Sequence, residues 1–166
     1  MVDPDPLPGL ELPLPLRALL RRRGFRSVEE AKQFLIPTSL PEAELHFPDL
    51  KKATNRLVEA CQNNEAVAIC GDYDADGMTS TALLLRALGP LGAAPRAAIP
   101  SRMEEGYGLN PSMVDRQHRD GVKILVTVDN GVAASAALRR AADLGMEVIV
   151  TDHHTIPDKP APMTAL

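Results

Sequence analysis

Three aspartates at alternate positions, Asp72, Asp74 and Asp76, follow directly on the apolar run Ala66 to Cys70, in the segment Gly71-Asp72-Tyr73-Asp74-Ala75-Asp76-Gly77. An unbroken apolar run of this kind suits a strand buried on both faces, as in a parallel sheet. Carboxylates packed at the end of such a strand repel one another unless a cation holds them together. The sequence therefore predicts a divalent-metal site at the carboxyl edge of an α/β sheet.

Two further motifs fit this plan. The run Ile124 to Val128 ends in Asp129-Asn130-Gly131, and Glu147 to Thr151 ends in Asp152-His153-His154. In an open parallel sheet the carboxyl ends of all strands lie along one edge, and ligands bind where the strand order reverses. Asp72-x-Asp74-x-Asp76-Gly77 also opens the calcium loop of an EF-hand, but that loop needs a glutamate at its twelfth position, where Leu83 stands, and a helix before it. The strand-end reading is preferred.

Strands are expected near 66–70, 95–99, 123–128 and 147–151, and helices over 78–89, 110–119 and 132–144. This alternation means parallel crossovers, hence an α/β fold with a parallel sheet flanked by helices. Ahead of it the chain reads as an extended arm and a small helical leader, residues 1–64. Pro4, Pro6, Pro8, Pro13 and Pro15 make the first sixteen residues an extended or disordered arm. A helix from Leu16 stops at Gly24, a second is capped by Ser27 with Glu30 completing a capping box, and a third starts at Asp49 with Leu57, Val58 and Cys61 on one face. The α/β domain, 65–166, is expected to be truncated before its end, because Pro162 to Leu166 stops as an apolar segment begins.

An apolar share of 45%, charged residues at 24% and a net charge of −4 describe a soluble protein. The acidic balance gives no general nucleic-acid footprint. Cys61 and Cys70 lack zinc spacing and read as thiols in a reducing cytosol. No segment approaches the length of a membrane span, and with no basic region ahead of an apolar stretch at the N-terminus a secretory signal is not expected.

The segments GDYDADGMTSTALL, VTVDNG and TDHH, in this order, resemble the first three motifs of the DHH phosphoesterase family. Within that family the chain is most similar to the bacterial enzymes that degrade single-stranded DNA in the 5′→3′ direction. Arg102 to Leu109 and the leader from Leu19 to Pro48 carry that part of the likeness. The resemblance implies a metal-dependent exonuclease of recombination and repair, cytoplasmic, acting on single-stranded DNA with a 5′ end. Single-strand-binding protein and a helicase are its implied partners. Alternatives from other classes are a phosphodiesterase for oligonucleotides or cyclic dinucleotides and a non-catalytic scaffold. The family's fourth motif, another metal-binding aspartate, and a DNA-gripping domain are expected beyond Leu166, so the piece alone is expected to be inactive.

Under the same resemblance Asp74, Asp76, Asp129 and His153 are metal ligands. Carboxylate and imidazole together suit Mn2+, or else Mg2+. Some family members carry a histidine where Cys70 stands, four residues before Asp74, so a complete first metal site is not assured. Asp72 either replaces that ligand, holds a metal-bound water as a catalytic group, or caps the turn. His154 is expected to contact the scissile phosphate, with Asp152 orienting the neighbouring imidazole. Arg102, just after the second strand, is the expected substrate phosphate contact, with a surface ion pair as its alternative. Tyr107 either stacks on a base or packs in a turn. His46 and His118 fit no motif, and Arg21 to Arg23 read as a solvated helix face or a DNA backbone contact.

Overall fold

A computed structural model describes residues 6–37, 42–159 and 161–166. The chain divides into two packed units, Met1–Glu42 and Ala43–Leu166.

In the first unit, α1 (Leu14–Arg22) and α2 (Val28–Leu35) enclose a small core of Leu7, Leu10, Leu20 and Ala31. The proline-rich arm therefore differs from the extended segment expected: two of its leucines are buried in this core, with the backbone turning at Leu7 and Gly9 (Pro4 lies outside the described residues). Gly24 ends α1 as the sequence predicts. Its φ of +98° lets the Gly24 and Phe25 amides donate back to Arg21 and Leu20 carbonyls, which is a Schellman stop. Ser27 caps α2 by accepting from the Glu30 amide, while the Glu30 carboxylate reaches past Ser27 to the Arg26 amide at 2.7 Å.

The second unit holds α3 (Ala43–His46), α4 (Leu50–Gln62), β1 (Ala66–Cys70), α5 (Ala75–Leu88), β2 (Ala94–Ala98), α6 (Pro111–Arg119), β3 (Ile124–Val128), α7 (Ser135–Asp143) and β4 (Glu147–Thr151). The strands form one parallel sheet in the order β2-β1-β3-β4. Side chains alternate across it, as the two-residue period of a strand requires. Ala68, Cys70, Leu125, Val148 and Val150 pack under α6 and α7, while Val67, Ile69, Ile124, Val126 and Ile149 pack under α4 and α5. Each such Val, Leu or Ile contributes about 1.5–3 kcal/mol by leaving water, which explains why runs of only five residues hold the sheet together.

The sequence places α4 in the leader, with a boundary after residue 64. In the structure it packs on the sheet through Ala53, Leu57, Ala60 and Cys61, and the packing boundary falls before Ala43. Val58 turns outward at 49% exposure, and Asp49 accepts from the Leu166 amide instead of capping the helix. At the sheet's amino edge Arg56 bridges Glu65 and Glu147 at 2.7 and 2.8 Å, tying α4 to the starts of β1 and β4. The final residues run alongside β4, with Ala165 pairing to Ile149. No helix among the described residues is long and apolar enough to cross a membrane.

Register decides what the sheet can do. Cys70 lies level with Ala98 and Thr127, and Val128 level with Thr151. The strand order reverses between β1 and β3, so the loops after these two strands open the crevice in which α/β sheets bind ligands.

Candidate metal centre

The three acidic strand ends meet at that crevice. Asp72 is fully buried in the turn after β1. Its Oδ1 accepts from the Asp74 amide at 3.3 Å, and its Oδ2 has no donor of good geometry among the described residues. Burial raises the Asp72 pKa, with the Asp74 carboxylate adding to the effect and hydrogen bonding to Tyr107 and the Asp74 amide opposing it. Asp74 begins α5: its carboxylate accepts from the Gly77 amide at 2.9 Å, which lowers its pKa despite some desolvation. Gly77 has to be glycine, because a Cβ there would run into the Asp72 carboxylate.

Asp129 adopts φ +60°, a left-handed conformation uncommon outside glycine. The Asp129 amide donates to the Thr151 carbonyl at 2.9 Å, and the Asp129 carbonyl accepts from the Tyr107 hydroxyl at 3.2 Å. These bonds hold the turn so that the carboxylate faces the other aspartates. Ligand atoms of Asp72, Asp74 and Asp129 lie within 4.8 Å of one another, as do those of Asp129, His153 and His154. Asp129 is the shared corner, and His153 Nε2 lies 2.8 Å from its Oδ1.

His154 Nδ1 is 2.7 Å from Asp152 Oδ1. That bond and the nearby negative charge raise the His154 pKa, so the ring holds its proton to higher pH than a free histidine. For Asp152 burial pushes upward, but donation from the Val132 amide and from His154 outweighs it and leaves the pKa lowered. Asp152 thus orients His154, while His153 turns to Asp129.

The structure treats the remaining expected residues unevenly. Asp76 lies exposed in the first turn of α5, outside both ligand sets, and makes no side-chain hydrogen bond among the described residues. Cys70 faces the α6 and α7 core, with its thiol pKa pushed up to about 12 by burial, so position 70 offers no ligand to the crevice. Arg102 stands over the Tyr73 ring at 5.2 Å and forms no ion pair among the described residues, and Tyr73 meets Tyr107 edge-on at 6.1 Å. Tyr107 is half exposed; burial of its hydroxyl and the Asp72 carboxylate raise its pKa.

One residue holds the site together in a way that the sequence reading does not foresee. Asn130 is 2% exposed and spans three elements: its Nδ2 donates to the Cys70 and Val128 carbonyls, and its Oδ1 accepts from the Leu109 amide. It clamps the ends of β1 and β3 to the 101–109 segment. The available signal is an asparagine between a strand-end aspartate and a glycine, a turn residue able to bond backbone groups. Glu105 braces the same segment, accepting from the Ser101 amide and pairing with Arg116 at 2.8 Å. Beside the clamp is a cleft of about 330 Å3 lined by Tyr107, Leu109, Asn130, Val132, Asp152 and His154.

These residues fit a divalent cation. An orphaned buried carboxylate oxygen, three converging carboxylates and two imidazoles form an oxygen-and-nitrogen donor set of the kind that holds manganese or magnesium.

Comparison with known proteins points the same way. Residues 66–165 match the DHH family, N-terminal domain. The chain is 42% identical over 145 residues to the single-stranded-DNA-specific exonuclease RecJ of Escherichia coli, covering 87% of this chain and 25% of that protein. A crystal structure of exonuclease RecJ bound to manganese is similar at 43% identity and a TM-score of 0.67, over 75% of this chain and 32% of that one. The crystal structure of Thermus thermophilus RecJ in complex with Mn2+ is similar at 36% identity and a TM-score of 0.64, over 93% and 21%. The chain thus spans about a quarter of the length of the curated relatives it matches.

Proposed function

The chain belongs to the DHH family, and on that premise we propose that it forms the amino-terminal part of a metal-dependent exonuclease that hydrolyses single-stranded DNA from the 5′ end. The observation that carries the proposal is the convergence of Asp72, Asp74 and Asp129 with His153 and His154 at the switch point of the sheet. In the relatives, manganese accompanies the same fold.

Asp129 is the shared ligand, with Asp72 and Asp74 on one side and His153 on the other. Asp76 extends the set when its free carboxylate turns toward the edge. Manganese or magnesium bound there supplies positive charge to polarise the phosphodiester and acidify water. The chain's own groups do the rest. Asp152 holds the Nδ1 side of His154, leaving Nε2 to face a phosphate oxygen. Arg102, without a carboxylate partner among the described residues, offers its guanidinium to a second phosphate. Asn130 keeps the turns of β1 and β3 in register, so the carboxylates meet without reorganisation during turnover.

The same reading sets the parent protein to work in recombination and repair in the cytoplasm, beside single-strand-binding protein and a helicase. The test is release of mononucleotides from a 5′-phosphorylated single-stranded oligonucleotide by the full-length protein with Mn2+. Asp129→Ala is expected to abolish release while leaving the fold intact. Undiminished turnover by a folded Asp129→Ala protein would overturn the assignment.

A further inference from the structure

We propose that the corner between α1 and α2 binds single-stranded DNA, with a base stacked on Phe34 and backbone phosphates on Arg22, Arg23 and Arg26. The site belongs to the first unit and shares no residue with the carboxylate crevice.

Charge is the first observation. The chain carries −4 overall, yet residues 14–35 contain Arg17, Arg21, Arg22, Arg23, Arg26 and Lys32 against only Glu29 and Glu30. Arg22, Arg23 and Arg26 are exposed and form no ion pair among the described residues. Three uncompensated guanidiniums within five residues favour a polyanion. Glu30, the one carboxylate at the rim, is committed to the Arg26 amide.

Aromatic placement is the second. Of the chain's three phenylalanines, two meet here: Phe25 and Phe34, with ring centroids 4.9 Å apart. Phe25 packs on the leader's core and anchors the pair, while Phe34 is left 64% exposed. Together with Arg23, Gly24, Glu30 and Gln33 they line a depression of about 500 Å3. Phe34 thus presents an exposed phenyl ring in the same depression as Arg23. An aromatic platform flanked by cations is the arrangement by which proteins hold single strands without reading sequence. An acidic protein segment would satisfy the arginines but would leave the ring without a stacking partner.

The proposal rests on the reading of the parent as a single-strand exonuclease only for the identity of the strand. Its test runs in EDTA, so binding is measured whether or not anything is cleaved. Anisotropy of a fluorescein-labelled oligothymidylate with the 166-residue chain at low salt is compared with Phe34→Ala and with Arg22→Gln/Arg23→Gln. Both residue sets are exposed, and circular dichroism confirms the fold. Each variant is expected to bind about tenfold more weakly, and the double variant to flatten the log–log salt dependence by about 0.7 per arginine. Heparin, a polyanion without bases, separates the two contributions: Phe34→Ala leaves its binding unchanged, whereas the arginine variant weakens it. Parental affinity for the oligonucleotide in either variant overturns the proposal. So does equal weakening of heparin and oligonucleotide by Phe34→Ala. Polyglutamate binding as tight as oligonucleotide binding, indifferent to Phe34, would assign the corner to an acidic protein instead.

Discussion

Asp72 carries a charge that the fold buries without a partner for Oδ2 among the described residues, and folding alone gives no reason to keep it there. A carboxyl whose pKa is raised by folding costs stability above that pKa and regains it as pH falls through it. Asp72→Asn keeps the Oδ1 contact to the Asp74 amide and removes the charge. The metal-free chain should gain about 1 kcal/mol, while the rise in melting temperature on adding Mn2+ should shrink. Melts with and without metal decide it: a destabilised variant with an undiminished Mn2+ response would show that Asp72 is a structural cap. Cys70 gives a second test at this scale. With its thiol buried and its pKa pushed up to about 12, it should resist iodoacetamide at about pH 8 until urea unfolds the chain, while half-buried Cys61 reacts first. Mass spectrometry of the alkylated peptides reads the order.

At the scale of elements, the strand-end turns carry the site, and their stability should follow their hydrogen bonds. Asn130→Ala leaves the Cys70 and Val128 carbonyls and the Leu109 amide unpaired in a dry interior, so urea unfolding should report a loss of about 2 kcal/mol or more. A loss below about 0.5 kcal/mol would mean that water replaces the side chain. The β4 turn should be acid-sensitive. Asp152 has a lowered pKa, so its stabilising contribution is present above the unfolded carboxyl value of about 4 and fades as pH falls through the folded value. The stability gap between the parent chain and Asp152→Asn should close in acid, and a gap that persists below the folded pKa would exclude the linkage. The strand ends are legible in sequence because apolar runs stopping at acids leave little choice of register. The ligand role of Asp76 comes from the family resemblance rather than from the spacing of the loop. Asp74 starts α5 at Ala75, ahead of the helix expected from 78, so Asp76 stands in the first helical turn, outside both ligand clusters as the side chains lie. Asn130 and the φ of Asp129 are illegible because both depend on where Leu109 and Thr151 arrive from elsewhere in the chain. The burial of Leu7 and Leu10 is non-local in the same way.

The whole molecule contains no tryptophan and only two tyrosines, and both stand at the crevice. Intrinsic fluorescence therefore reports on this site alone. Paramagnetic Mn2+ should quench it saturably in the parent chain and much less in Asp129→Ala, with Mg2+ competing for the same site. Quenching that is linear in metal and equal in the two proteins would indicate collisions rather than binding. The position of β2 at the border of the sheet has a consequence for the molecule as a solute. A bordering strand displays an unpaired row of amides and carbonyls, an invitation for another copy to add on and begin a fibril. Here that row belongs to the short segment Ala94–Ala98, in which Pro95 has no amide hydrogen and Arg96 is an exposed charge. Such residues blunt edge-to-edge pairing at little expense to the fold. Resistance to edge-to-edge pairing should reside largely in those two positions, and Pro95→Val/Arg96→Val should scatter more light on standing than the parent chain.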